Sequence, residues 1–179
     1  LYERHLAALD AEVFADLRYT TPNISGRMDN LRAAILRPQL ANLDTQCARW
    51  NDRYKVLEDG VRGTPGLKIV ERAAVERIVG SSFQFLLLDW KADDILAVLK
   101  RCAARGVELK WFGAPEPTAF TSKYDSWRYA ASEAMPATDR VLAGIVDMRV
   151  PLTFSLDDCA LIARIIRSEV SAVFQAASV

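Results

Sequence analysis

Apolar or weakly polar residues recur at alternating steps of three and four through one long stretch of the chain: Ala33, Leu36, Leu40, Leu43, Cys47, Trp50, Tyr54, Leu57 and Val61. That spacing keeps one face of an α-helix apolar over several turns. Pro38 falls inside the stripe. A proline in a helix interior costs about 3 kcal/mol, whereas each fully buried large side chain returns roughly 1.5–3 kcal/mol. The balance predicts a helix that is kinked or divided at Pro38 rather than abolished. Core packing is one use of such a stripe, and a coiled-coil partner surface is the other.

Before the stripe, Leu6, Leu9, Val13 and Leu17 predict one bent helix or two short ones over residues 1–18, followed by a loop over residues 19–26. Thr21 precedes Pro22 there and is pushed out of helical dihedrals. After the stripe, Gly63-Thr-Pro-Gly66 reads as a turn and residues 67–70 as a short strand. Residues 82–89 (Ser-Phe-Gln-Phe-Leu-Leu-Leu-Asp) form the clearest buried strand. A helix over 93–105, with Ile95, Leu96, Leu99, Cys102 and Ala103 inward, runs to Gly106, and a strand over 107–112 follows. Residues 113–126 are a loop rich in proline and aromatic residues, 136–146 are expected to be helical, and 148–152 form a short strand. Ser155 and Asp158 stand at capping-box spacing before a last helix whose inward face is Cys159, Ile162, Ile166, Val170 and Val173. Strand and helix alternating after a long lead-in helix describe a small α/β domain, a short sheet covered by helices.

Composition narrows the function classes. The 179 residues, 51% hydrophobic, suffice for one compact domain with an appended segment. Twenty-three basic residues balance twenty-three acidic ones without long like-charged runs, so no field recruits nucleic acid or an anionic membrane. No apolar run approaches the roughly 20 residues needed to span a bilayer, and no signal-like segment opens the chain, so a cytoplasmic protein is the expectation. Cys47, Cys102 and Cys159 each fall on the apolar side of an expected helix and read as buried reduced thiols. His5 is the single histidine and has no partner at metal-ligand spacing, so no metal site and no Ser/His or Cys/His nucleophile pair is expected. The chain opens at Leu1 in what reads as mid-helix, which suggests a fragment of a longer protein.

Two places could carry chemistry. Asn23, Ser25, the Gly26 backbone N–H and Arg27 offer an amide, a hydroxyl, an exposed donor and a guanidinium able to grip two phosphate oxygens. A helix starting just after them adds its positive end. Asp29 is also placed to cap that helix, where its carboxylate opposes a phosphate, so a purely structural loop stands as the alternative. The second place is Lys110-Trp111-Phe112 at a strand end. Lys110 offers a cation to a carboxylate or phosphate, and Trp111 a face on which a sugar or base could stack. The alternative is that Trp111 and Phe112 pack under the proline-rich loop while Lys110 is solvated.

The segment from Asn23 through Arg27-Met28 into the Ala-Ala-containing helix ending near Leu40 resembles the Asn-x-Arg-Met loop and following helix of the DegT-type (DegT/DnrJ/StrS) sugar aminotransferases. Those enzymes use pyridoxal 5'-phosphate (PLP) and have the aspartate-aminotransferase-like fold. Pro65-Gly66-Leu67 before the first strand and Pro151-Leu152 before the final helix are similar to the family's order as well. The resemblance implies that residues 1–40 leave a large cofactor-binding domain absent from this chain and that 41–179 form the small carboxy-terminal α/β domain. It further implies a homodimer with shared active sites, in which the loop's Asn reaches the PLP phosphate of the other subunit. Substrates implied are an amino-acid donor and a nucleotide-linked keto-sugar. Ser25 occupies the family's Asn position, with Asn23 two residues earlier, so Ser25, Asn23 and Arg27 are the expected cofactor-binding set. Lys110 and Trp111 stand where the family carries a His-Tyr-Pro segment, and Gly80-Ser-Ser-Phe83 where it carries histidines.

A PLP transaminase needs a Schiff-base lysine and an acidic partner for the pyridine nitrogen. None of the six lysines, at 55, 68, 91, 100, 110 and 123, stands in the family's lysine-loop context. No catalytic residue is therefore expected here, and the chain alone should be inactive. Two rivals stand beside this reading: a non-catalytic scaffold dimerising through the stripe from Leu36 to Val61, and a PLP enzyme of the same fold doing dehydration or other chemistry.

Overall fold

The computed structural model describes residues 17–20, 28–115 and 124–177. The chain divides into two compact units, residues 1–41 with 122–135 and residues 42–121 with 136–179.

In the first unit, α1 (Leu17–Thr20) lies where the end of the first helix was expected and runs two residues past it. The rest of that helix lies outside the described residues. Helix α2 (Asn30–Ala41) contains Pro38 and buries none of its residues. Segment 124–135 opens with a single 3-10 turn, Tyr124–Ser126. It is tied back by the Arg128 N–H, which donates to the Tyr19 carbonyl at 2.7 Å.

The second unit holds the sheet and the core. Helix α3 (Leu43–Val61) carries the carboxy-terminal part of the apolar stripe, with Tyr54, Leu57 and Val61 buried. The long helix is thus divided, with the break at Asn42 (φ −105°, ψ 9°), four residues after Pro38. The stripe changes use at the break: in α3 it builds core, whereas in α2 Leu36 and Leu40 remain exposed.

Four strands follow the order β1-β2-β4-β3, all neighbours antiparallel: β1 (Lys68–Ile69), β2 (Ser82–Leu86), β3 (Lys110–Trp111) and β4 (Ile145–Arg149). Helix α4 (Ala92–Ala103) connects β2 to β3, and α5 (Pro136–Gly144) leads directly into β4. Strand β4 begins three residues before the expected 148–152 strand, and α5 ends before the expected 146. The Leu87 N–H donates to the Gly144 carbonyl at 2.8 Å, and β-branched Ile145 and Val146 suit the pleat better than a helix. Pro151, without a donor, cannot extend the ladder.

Strand alternation puts Phe83, Phe85, Val146, Met148 and Trp111 on one buried face. Helices α3, α4 and α6 (Leu156–Ala177) complete the core there with Leu57, Val61, Ile95, Val98, Cys102, Ile166 and Val170. A Cβ added to Gly60 of α3 would lie 2.5 Å from the Ala163 Cβ of α6, so the two helices approach as closely as backbones allow. The capping box of α6 forms as expected: the Ser155 N–H donates to Asp158 Oδ2 at 2.8 Å and the Asp158 N–H donates to Ser155 Oγ at 3.0 Å. The Ser155 hydroxyl, which donates to Asp158 Oδ2 at 2.7 Å, and then the Ser155 N–H hold the Asp158 carboxyl below its usual pKa.

Candidate functional site

Polar side chains of α3 fix the irregular segments at one end of the sheet. The Trp50 indole N–H donates to the Val150 carbonyl at 2.9 Å, and Arg53 donates from Nε to the Phe154 carbonyl at 2.7 Å. Asn51 bridges 78–80 in both senses, donating to the Ile78 carbonyl at 3.0 Å and accepting from the Gly80 N–H at 2.8 Å. Periodicity alone does not reveal these roles, because a polar residue beside an apolar stripe reads as solvated.

Asn23, Ser25 and Arg27 lie outside the described residues. Just beyond that loop, Asp29 Oδ1 accepts the Arg32 backbone N–H at 2.7 Å, and Oδ2 accepts the Arg32 guanidinium at 2.7 Å. Asp29 therefore caps α2, and both of its oxygens have partners. The positive end of α2 is met by the protein's own carboxylate.

Lys110 and Trp111 are neighbours on β3 and consequently point to opposite sides of the sheet. Trp111 pairs with Val146 and is only 6% exposed, with its indole N–H donating to the Ala143 carbonyl at 2.7 Å. Gly113 folds over the ring, so closely that an added Cβ would sit 2.6 Å from Trp111 Nε1. Trp111 thus packs in the core, and so little open face remains that stacking on a sugar has no room. Lys110 pairs with Asp147 across the ladder, on the face that also carries Gln84. Asp147 is buried and accepts a hydrogen bond from the Ser82 hydroxyl. The structure thus separates the expected Lys-Trp pair and groups Lys110 with Asp147, Gln84 and Ser82 instead. A carboxylate so placed can orient a hydroxyl and balance a cation. Sequence reasoning missed Asp147; the signal was a charged residue amid the apolar Ile145, Val146 and Met148.

Among the described residues no three His, Cys, Asp or Glu side chains gather as a metal would require, and no helix is long and apolar enough to cross a membrane.

The sequence matches the family model described as the DegT/DnrJ/EryC1/StrS aminotransferase family over residues 6–167. No curated protein matches it. Among solved structures it is similar to 3-amino-5-hydroxybenzoic acid synthase, at 20% identity and a TM-score of 0.64, over 92% of this chain and 48% of that one. It is also similar to the aminotransferase TlmJ from Streptoalloteichus hindustanus, at 16% identity and 0.64, over 85% and 38%. For DesI, solved in the presence of its TDP-sugar product, the values are 14% and 0.58, over 78% and 35%. At these identities the likeness is one of fold. The chain spans less than half the length of each of the three.

Proposed function

We propose, because the chain belongs to the DegT/DnrJ/EryC1/StrS aminotransferase family, that it is the carboxy-terminal part of a PLP-dependent aminotransferase that works as a homodimer. The observation carrying this reading is the family match itself, which runs through the Asn23–Arg27 loop and across the sheet. In this reading the Schiff-base lysine and the acidic partner of the pyridine nitrogen come from outside these 179 residues, and the chain alone does not transaminate.

PLP, when bound, supplies an electron sink for the α-carbon of the amino donor. The part of this chain is to hold the cofactor's phosphate. Arg27, with the Ser25 hydroxyl and the Asn23 amide, would hold that phosphate, the guanidinium offering two donors and the others one each. Asp29 caps α2 and pairs with Arg32, so the positive end of that helix is already taken, and in this reading the phosphate is left to the loop donors alone. Lys110 is the residue assigned to an anionic group of the substrate; Trp111 supports the strand beneath it.

The acceptor in this reading is a nucleotide-linked keto-sugar, supported by DesI with its TDP-sugar product. 3-Amino-5-hydroxybenzoic acid synthase, also similar in fold, is named for a product that is not a sugar. A non-catalytic interaction domain is the second reading, favoured by the exposed Leu31, Ile35, Leu36 and Leu40 of α2. The scaffold stripe would then be limited to α2, because α3 spends its share on the core.

The test is Arg27→Ala in the complete gene product. Loss of one bidentate phosphate contact should weaken PLP retention about tenfold or more, read from the visible absorbance of the bound cofactor during dialysis. Unchanged retention removes Arg27 from the phosphate site. Absence of PLP from the unmutated complete product, together with a reading frame that starts near Leu1, selects the scaffold.

A further inference from the structure

A cleft of about 570 Å³ opens in the second unit where α3, the edge strand β1 and segment 70–78 meet. Its apolar wall includes Ile69, Ile78 and the ring of Tyr54, and its rim carries Arg62, Lys68 and Arg72. Tyr54 is 4% exposed and fixed edge-on against Phe83, with ring centroids 5.4 Å apart. Its hydroxyl has no hydrogen-bond partner among the described residues. Buried hydroxyls are rarely left in that state, and because Tyr54 belongs to the cleft's lining, a polar atom entering there is the partner its hydroxyl lacks.

We propose that this cleft binds a small monocarboxylate with an apolar or aromatic body. The cations differ in how committed they are. Arg62 is held by Glu58 at 2.7 Å and approaches Asp59 at 4.0 Å. Arg72 lies 5.7 Å from the centroid of the Tyr54 ring and meets Glu76 only at 3.8 Å. Lys68 makes no ion pair among the described residues, and it alternates with Ile69 on β1, so it adds charge at the edge of the cleft rather than beside the ring. Arg72 therefore remains to receive an anion beside the ring, while the apolar wall takes the body and Tyr54 offers its unpaired hydroxyl. Glu58 and Glu71 also line the cleft; Glu58 is taken by Arg62, and the charge of Glu71 sets the choice of a singly charged ligand over a dianion.

This assignment does not depend on the aminotransferase reading, because its readout is binding alone. The full chain is titrated with 3-phenylpropionate by calorimetry and by amide chemical shifts, alongside 3-phenylpropionamide as the neutral isostere and phenyl phosphate as the dianion. The expected result is saturable binding of the carboxylate below about 10 mM, with shifts at Tyr54, Lys68 and Arg72. Loss of charge in the amide, or in a Lys68→Met/Arg72→Met double variant, should weaken binding about tenfold. Tyr54→Phe keeps the ring on Phe83 and should weaken it about threefold or more. Where the double variant melts without cooperativity, Lys68→Gln/Arg72→Gln replaces it. Failure to saturate, undiminished binding in the charge variants, or tighter binding of phenyl phosphate overturns the proposal.

Discussion

Glu169 keeps a charge on the inner side of α6, where a solitary carboxylate would surrender it. Arg105 donates to Oε1 at 2.7 Å and Arg101 to Oε2 at 2.6 Å, linking α4 to α6 and holding the carboxyl below its usual pKa. A folded pKa below the unfolded one gives stability that is present above the unfolded value, near 4.5, and lost as the pH falls through the folded value. Glu169→Gln should cost about 1–2 kcal/mol at pH 7, the half-exposed arginines reducing the full charge-assisted value. In urea titrations the deficit should shrink below pH 4; a deficit independent of pH would show that packing, not charge, is what the substitution removes. Nearby, Cys102 is pushed up to about 11 by burial, with Glu169 adding to the effect, and burial also raises Cys159. Under native conditions DTNB should modify Cys47 alone, and the other two only with denaturant; fast labelling of three thiols would contradict the packed core. Cys102 and Cys159 were legible because each lay on an apolar helical face, whereas Cys47, also expected to be buried, is only half-buried. Lys110 and Trp111 were legible as strand residues, but reading them as one site ignored the pleat, which turns adjacent side chains apart.

The elements repeat that lesson at longer range. Pro38 was rightly a sign of a divided helix, but the break itself falls at Asn42, where the chain changes from a bare helix to one packed on a sheet. Sequence shows where a helix is weak; which turn gives way depends on what the two halves pack against. The same limit applies to β4. Its start depends on the ladder with β2 and the Leu87 bond to Gly144, neither of which local pattern contains. Gly60 is a third case, an interior glycine with no turn to explain it until Ala163 is found against it. Gly60→Ala gains helix propensity of up to about 1 kcal/mol but forces α3 and α6 apart, and overpacking of this kind costs about 1–3 kcal/mol. A net loss of stability in thermal melts is the expected outcome; a gain would mean that the two helices yield without loss.

For the whole molecule, the small α/β unit was legible because α3, β2 and α6 each follow their own period and the turn at residues 63–66 carries the right residues, β4 with its buried Asp147 being the exception. The loop over residues 23–27 was readable only as a set of donors, since such a set says what can be bound but not where the chain holds it, and it lies outside the described residues. The two units also differ in how they use apolar residues, with a continuous core in one and an uncovered α2 in the other. The sheet has a further consequence. Both of its edges, β1 and β3, are two residues long, and each contributes a lysine. An approaching strand finds almost no ladder to extend and a charge beside it. Growth of the sheet from chain to chain, the usual route to fibrils, is thereby discouraged, and assemblies of this protein fall to side-chain surfaces rather than to strand addition.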